Sequence, residues 1–476
     1  MTAAARYSAE PCVSGLGVPG LGGSGLSGVR IAVANWRDPW HPQAGGAERY
    51  AWEVARGLAG RGARVRFLTA RAPGQARRDR RDGIDIIRLG GRFTVYPRVL
   101  AWLLAHRRSF DTVLDCQNGI PFFTPCVLPR DVPVLCVMHH VHSVQFGLYF
   151  PGWLARAGRW LEGPAARWAY RRHACVAVSP STVTTMRERL GWTGDIYLIP
   201  NGAPVPGAPG PAGPAAACPS SLVWVGRLVP HKRAELILPV AEQLAGRGIT
   251  IDVVGRGPAA ESLAARVDAR GLAGAVRLRG FLPEPEKQAL VAGSLLQLNT
   301  SRAEGWGLCV LEAAAAGVPT VAYDADGLRD AVRDGQTGWL VRDGELIEDV
   351  TRQAVKELSD PVRRAAISAA CREWAAQLGW DRTVARMAGL ISASIQNGTA
   401  RAGRRGTWIV SAAEGPAPAE GVRPAEEAGL AGGPVLAEGP VLDVLLRRAP
   451  GAVLLRPATP LERLLGRPAG AEERPP

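Results

Sequence analysis

Residues 295–323 read Leu295-Leu-Gln-Leu-Asn299, Thr-Ser-Arg-Ala, Glu304-Gly-Trp-Gly-Leu-Cys-Val-Leu-Glu312, Ala-Ala-Ala-Ala-Gly317, Val-Pro, Thr320-Val-Ala-Tyr323. The first apolar run, Leu295–Asn299, is too short for a helix and reads as a strand. A glycine-bearing loop follows, and an apolar helix starts near Leu308. A second short apolar run, Thr320–Tyr323, closes the unit. Strand, helix, strand at this length is a βαβ unit, and its two strands run parallel.

The same alternation extends in both directions. Upstream lie strands Leu222–Val225, Thr250–Val254 and Val276–Arg279, interleaved with helices Ala234–Gly246, Ala259–Arg270 and Glu284–Ala292. Downstream, Asp349–Leu358 and Pro361–Gln377 read as closing helices. The first half repeats the pattern. Val29–Asn35 is a buried strand, a Pro/Gly loop ends at Gly45-Gly46, and Ala47–Gly60 carries Ala51, Val54, Ala55 and Leu58 on one helical face. Further strands are expected at Arg64–Thr69, Ile84–Leu89, Thr112–Leu114, Val134–Met138, Cys175–Val178 and Ile196–Ile199. Between the halves, residues 203–219 are dominated by Pro, Ala and Gly, the composition of a linker.

The fold expected is therefore α/β, two Rossmann-like domains facing each other across a cleft. The bounds expected are a flexible leader over 1–28, domains over 29–202 and 220–378, and a linker over 203–219. A terminal helix over 379–398 is expected to return toward the N-terminal domain. An Ala/Gly/Pro/Glu-rich tail over 399–476 has no assigned role.

The chain has 476 residues and a formal charge of +14. The excess is one-sided: residues 1–200 hold 26 Arg against 13 acids. A one-sided basic surface fits an anionic partner such as a phosphorylated substrate, a lipid surface or nucleic acid. The eight cysteines form no CxxC pair, which speaks for reduced thiols in a cytoplasmic protein and against a disulfide framework or zinc site. No apolar run is long enough to span a bilayer.

Glu304 and Glu312 would not align on one helix, because eight residues of helix turn about 80° past whole turns. Glu304 is placed in the loop and Glu312 within the helix. Gly305, Trp306 and Gly307 let backbone approach a ligand, and the N–H groups at the start of the helix beginning at Leu308 favour an anion. Gly226-Arg227-Leu-Val-Pro-His-Lys232 follows a strand directly, so Arg227 and Lys232 can converge on phosphate oxygens. Lysine is scarce: only Lys232, Lys287 and Lys356 occur against 54 Arg, which makes a lysine at a strand end informative.

The ordered set of motifs resembles the retaining glycosyltransferases with the GT-B fold, family 4 (group 1) type. The matching pieces are Gly45-Gly46-Ala-Glu48, Val178-Ser-Pro-Ser181, Ile199-Pro-Asn-Gly202, Gly226-Arg227 with Lys232, and Val254-Gly-Arg-Gly-Pro258. Gly280-Phe281, the Glu304/Glu312 pair and Asp334-Gly-Gln-Thr-Gly338 complete them. The resemblance implies a nucleoside-diphosphate sugar as co-substrate, with no metal and no other cofactor. It implies that Arg227 and Lys232 hold the diphosphate, Glu304 the sugar and Glu312 the ribose. Gly45 and Gly46 would close over the phosphates, Phe281 and Leu282 would meet the nucleobase, Gly280 to Gly307 would form much of the donor pocket, and Gly226 and Leu308 would also contact the donor. It also implies a histidine near the sugar. His139, first after the Val134–Met138 strand, is the residue chosen. Asp326-Gly327-Leu-Arg-Asp330 departs from the family's usual Gly-Gly-x-Pro-Glu.

On the acceptor side, Tyr149–Arg172 interleaves Trp153, Trp160 and Trp168 with Arg156, Arg159, Arg167, Arg171 and Arg172. Two readings stand: a membrane-surface helix serving a lipid-linked or envelope glycan acceptor at the inner face of the membrane, or a stripe packed on its own domain. Competing functions are a sugar-nucleotide epimerase or phosphorylase on the same scaffold, and an inactive sugar-nucleotide-binding protein. A nucleic-acid binder would need exposed stacking aromatics among its cations, whereas these tryptophans fall in helical apolar stripes.

Overall fold

A computed structural model describes residues 25–204, 220–400 and 453–454. Most of the expected leader, the 205–219 part of the linker and nearly all of the tail lie outside the described residues. The described end of the leader is packed. Leu26 is buried in the main core, and the Gly28 amide donates to the Gly62 carbonyl at 3.1 Å.

Two sheets carry the molecule. In the C-terminal domain six parallel strands lie in the order Val276–Gly280, Thr250–Val254, Ser221–Val225, Leu296–Asn299, Thr320–Tyr323, Gly338–Val341. Counted within the domain this is 3-2-1-4-5-6, the dinucleotide-binding order. Its central strands are buried along most of their length because helices cover both faces. The order reverses between Ser221–Val225 and Leu296–Asn299, and the crevice beyond their carboxyl ends is where such sheets bind ligands.

The N-terminal sheet has nine strands. From one edge they run Val453–Leu454, Ile196–Leu198, Ala174–Ala177, Val134–His140, Thr112–Asn118, Arg30–Ala34, Arg64–Thr69, Ile84–Arg88, Arg78–Arg81. All pairs are parallel except the two outermost, which are antiparallel. Val453–Leu454 thus brings a piece of the tail to this edge. The order reverses between Arg30–Ala34 and Thr112–Asn118, where Asn118 Nδ2 donates to Asn35 Oδ1 at 3.1 Å. Both crevices open toward one cleft, the GT-B arrangement.

Three differences from the sequence reading have physical causes. The Thr112–Asn118 strand continues past Leu114 despite polar residues, because the buried Asp115 carboxylate is fully engaged. It accepts from the amides of Phe122 (3.0 Å) and Thr124 (3.1 Å), the Thr124 hydroxyl (2.9 Å) and the Tyr170 hydroxyl. Arg78–Arg81 is a strand although its sequence is all charge. Asp79 holds Arg81 and Arg88, and the charges discourage a further strand at that edge. The Val134–His140 strand runs two residues beyond Met138, past a bulge that pairs His140 with Asn118. His139 therefore lies inside the strand, not after it.

The helix Trp380–Ala400 lies on helix Gly46–Gly60 of the N-terminal domain. A Cβ on Gly57 would come within 2.5 Å of Val384, and one on Gly202 would collide with Trp380. Ala203 at the end of the first domain donates to the Leu378 carbonyl at 2.6 Å.

Candidate active site

The Arg227 and Glu304 loops leave the two strands that flank the C-terminal switch point, and they are tied together. The Thr300 hydroxyl accepts from Trp224 Nε1 (2.9 Å) and donates to the Lys232 carbonyl (2.6 Å). The Arg302 amide donates to the His231 carbonyl at 2.9 Å. Lys232 sits in the short turn Pro230–Lys232, and its ammonium is ion-paired with Glu304. The Ser301 hydroxyl donates to the same carboxylate oxygen at 2.8 Å. Burial alone would push Glu304 up. Lys232 and Ser301 outweigh it and hold the carboxyl below its ordinary range.

Glu304 is in the loop and Glu312 is inside the helix Leu308–Ala316. Gly307 precedes that helix with φ 80°, where only glycine is comfortable. Glu312 is held from two sides. Lys287, on helix Glu284–Ala292, donates to it at 2.8 Å, and Arg49 reaches it from the N-terminal domain. Arg49 and Lys287 also approach Glu284, at 3.6 and 3.0 Å.

The N-terminal domain closes the site from above. A Cβ on Gly45 would lie 3.8 Å from Nε of Arg227, and one on Gly46 would lie 3.0 Å from Leu308. Glu48 accepts from the Gly45 amide at 2.8 Å and fixes this turn. Arg37 comes close behind it. Its guanidinium is buried, donates to the Gln43 carbonyl at 2.9 Å, and is pushed below its ordinary value by burial and by Arg227. Two cations facing each other across a cleft make a place for an anion.

His139 meets the site through its backbone. Its carbonyl faces Gly305 so closely that any Cβ there would collide with it. The ring packs edge-on against Tyr50, and Nε2 is buried with no hydrogen-bond partner among the described residues. Burial, reinforced by His142, pulls its pKa down to about 3, so the ring is neutral.

A Cβ on Gly226 would lie 3.0 Å from the Trp224 ring. Phe281 is exposed at the rim, with the Arg256 guanidinium 5.2 Å from its ring, and Leu282 is half-buried beneath. The Trp306 indole is buried in the main core, so that residue offers only backbone to the cleft. Asp330 does not face Glu304. Its carboxylate accepts from the Ser181 amide of the other domain at 2.9 Å, and burial raises its pKa. Among the described residues no three His, Cys, Asp or Glu gather to hold a metal.

Sequence reasoning missed Arg37, Arg49, Lys287 and Tyr149, whose hydroxyl meets His231 Nδ1 at 2.8 Å across the cleft. Lys287 had a signal: it is one of only three lysines in the chain.

Two family profiles match. "Glycosyltransferase Family 4" covers residues 44–205 and "Glycosyl transferases group 1" covers residues 219–374. Together they take in more than half of the chain, one on each domain. The chain belongs to the group 1, family 4 glycosyltransferases. A D-inositol 3-phosphate glycosyltransferase of Thermobispora bispora is 36% identical over 186 residues, 37% of this chain and 43% of that protein. A GDP-mannose-dependent alpha-(1-6)-phosphatidylinositol monomannoside mannosyltransferase of Mycobacterium tuberculosis is 33% identical over 178 residues, 35% and 46% respectively. The chain thus spans less than half the length of these curated relatives. Among solved structures, sucrose-phosphate synthase of Thermosynechococcus elongatus superposes with TM-score 0.64 at 18% identity, over 79% of this chain and all of that one. HepE of Anabaena, in complex with UDP and glucose, gives 0.59 at 18% identity, over 77% of this chain and all of that one. Identities this low bear on the fold alone.

Proposed function

We propose that this family 4 member transfers a sugar from a nucleoside-diphosphate sugar to an acceptor hydroxyl, with retention and without a metal. The observation that carries the reading is the convergence of Arg227, Lys232, Glu304 and Glu312 at the switch point, closed over by Gly45 and Gly46. A departing diphosphate gains negative charge, and Arg227 and Lys232 offer a fork and a point charge to it. Arg37 adds a third cation from the opposite domain.

Glu304 accepts hydrogen bonds from the sugar hydroxyls. Glu312, set between Lys287 and Arg49, does the same for the ribose. Phe281 under Arg256 forms a shelf for the base. The bond from the anomeric carbon to the phosphate oxygen breaks. The acceptor oxygen bonds to that carbon on the same face, and the acceptor proton passes to the leaving phosphate. The neutral His139 presents its carbonyl to the sugar side, where positive charge develops.

The acceptor expected is a lipid-linked or envelope glycan hydroxyl on the cytoplasmic side of a membrane. Of the relatives named above, the one named for a phosphatidylinositol monomannoside supports that class, and the one named for D-inositol 3-phosphate points instead to a soluble phosphorylated polyol. The test is transfer from an α-linked nucleotide sugar, with the product anomer read by proton NMR. An α product is expected. A β product would overturn retention, and recovery of an epimerised donor with no transfer would favour the epimerase.

A further inference from the structure

The described surface separates the two readings of the Tyr149–Arg172 segment. Trp153, Trp160 and Trp168 are 68%, 59% and 63% exposed. Rings that stay this exposed are not packed on their own domain. Helix Gly152–Trp160 continues through a π-helical turn, Leu161–Ala165, into helix Ala166–Tyr170. In an unbroken α-helix Trp168 would stand about 80° round from Trp160. The wider π turn advances less per residue and takes up much of that offset, so the three indoles stay on one side.

A second segment joins this face. The Arg92 guanidinium lies 5.1 Å from the Phe93 ring and 5.9 Å from the Phe150 ring, and Phe93 is 62% exposed. The charge around the face has one sign. Arg156, Arg159, Arg167 and Arg171 are exposed beside the tryptophans. The one acid from 149 to 172, Glu162, is buried and accepts from the His142 amide at 2.5 Å.

We infer that this face docks on an anionic lipid surface. Indoles ringed by arginines match the boundary between headgroups and acyl chains, where an amphipathic ring is wet on one side and a guanidinium meets phosphate. Among the described residues no helix is long and apolar enough to cross a membrane, so the contact is peripheral. The face adjoins the cleft. Tyr149, at its near end, holds His231, the neighbour of Lys232. Docking therefore sets the mouth of the cleft at the lipid surface, which deepens the transfer reading by naming where its acceptor is presented.

The test uses the full chain with vesicles of phosphatidylcholine alone and of phosphatidylcholine mixed with phosphatidylglycerol, read by co-sedimentation. Binding is expected to the anionic vesicles only, and to weaken with salt. The W153A/W160A/W168A variant should lose it. R156Q and R159Q should each weaken it by about fivefold. Circular dichroism and nucleotide-sugar binding should stay unchanged in these variants. Absence of binding to anionic vesicles at low salt overturns the inference, as does undiminished binding by the triple-tryptophan variant. Self-association through this face in place of vesicle binding assigns it to a second copy and overturns it too. Co-sedimentation needs no turnover, so its failure and a failure of sugar transfer are separate results.

Discussion

Lys232 carries two duties that cannot both be kept by another residue. Its ammonium neutralises the buried Glu304 carboxylate, and it stands beside Arg227 where phosphate charge would grow. Lys232→Met should lower kcat by about 10²–10³-fold, the usual cost of removing one charge-stabilising donor. Lys232→Arg should not restore it, because a planar fork does not replace a point charge in this turn. Wild-type-like turnover by either variant would contradict the assignment. If Glu312 holds the ribose as proposed, it is expected to behave differently, since ribose is held equally in ground and transition states. Glu312→Gln should raise KM for the donor by about tenfold and change kcat little. The placement of Glu304 in a loop, of Glu312 within a helix and of Arg227 just past a strand end was legible from the sequence, because each belongs to a local motif. Arg49 was not, since its partner lies 263 positions away and only the fold brings it there.

At the scale of elements, the neutral histidines set an acid limit. Burial takes His139 and His140 down to about 3 and His231 to about 4, against about 6.5 in an unfolded chain. Between those values the unfolded chain binds more protons than the folded one. The stability that these groups contribute is complete above about pH 6.5 and is lost as pH falls toward 3. Melting temperature measured from pH 7 to pH 4 should fall, and His140→Gln should make the fall shallower; an unchanged slope would contradict the buried neutral ring. The contact between helices Gly46–Gly60 and Trp380–Ala400 makes a second claim. Gly57→Leu must push into Val384 and should cost about 1–3 kcal/mol, read from the urea midpoint. Strand positions were legible where apolar runs were unbroken, as at Leu222–Val225 and Val134–Met138. They were lost where partners, not residue type, made the strand, as at Arg78–Arg81 and beyond Leu114. The π turn at Leu161–Ala165 was also illegible, because Pro164 signals only a break.

For the whole molecule, the alternation of strands and helices announced two α/β halves, but not their strand order. That order decides the site, because it puts the Arg227 and Glu304 loops at one reversal and the Asn35 and Asn118 ends at the other. Contacts across the cleft then set how it closes: Gly305 on the His139 carbonyl, Tyr149 on His231, and Asp330 on the Ser181 amide. Gly305→Ala should keep each domain folded yet hold the cleft ajar. Small-angle scattering should show a larger radius of gyration and assays should show loss of transfer; an unchanged radius with full activity would contradict the close approach.

The central claim is that this cleft is built for a nucleoside-diphosphate sugar. It is tested most directly by a panel of nucleotide sugars and their parent nucleotides scanned for thermal stabilisation of the wild type and of Lys232→Met. At least one nucleotide sugar should raise the melting temperature of the wild type, by an amount that grows with ligand concentration, and should fail to do so for Lys232→Met. Stabilisation by no member of the panel, or equal stabilisation of both proteins, would contradict it.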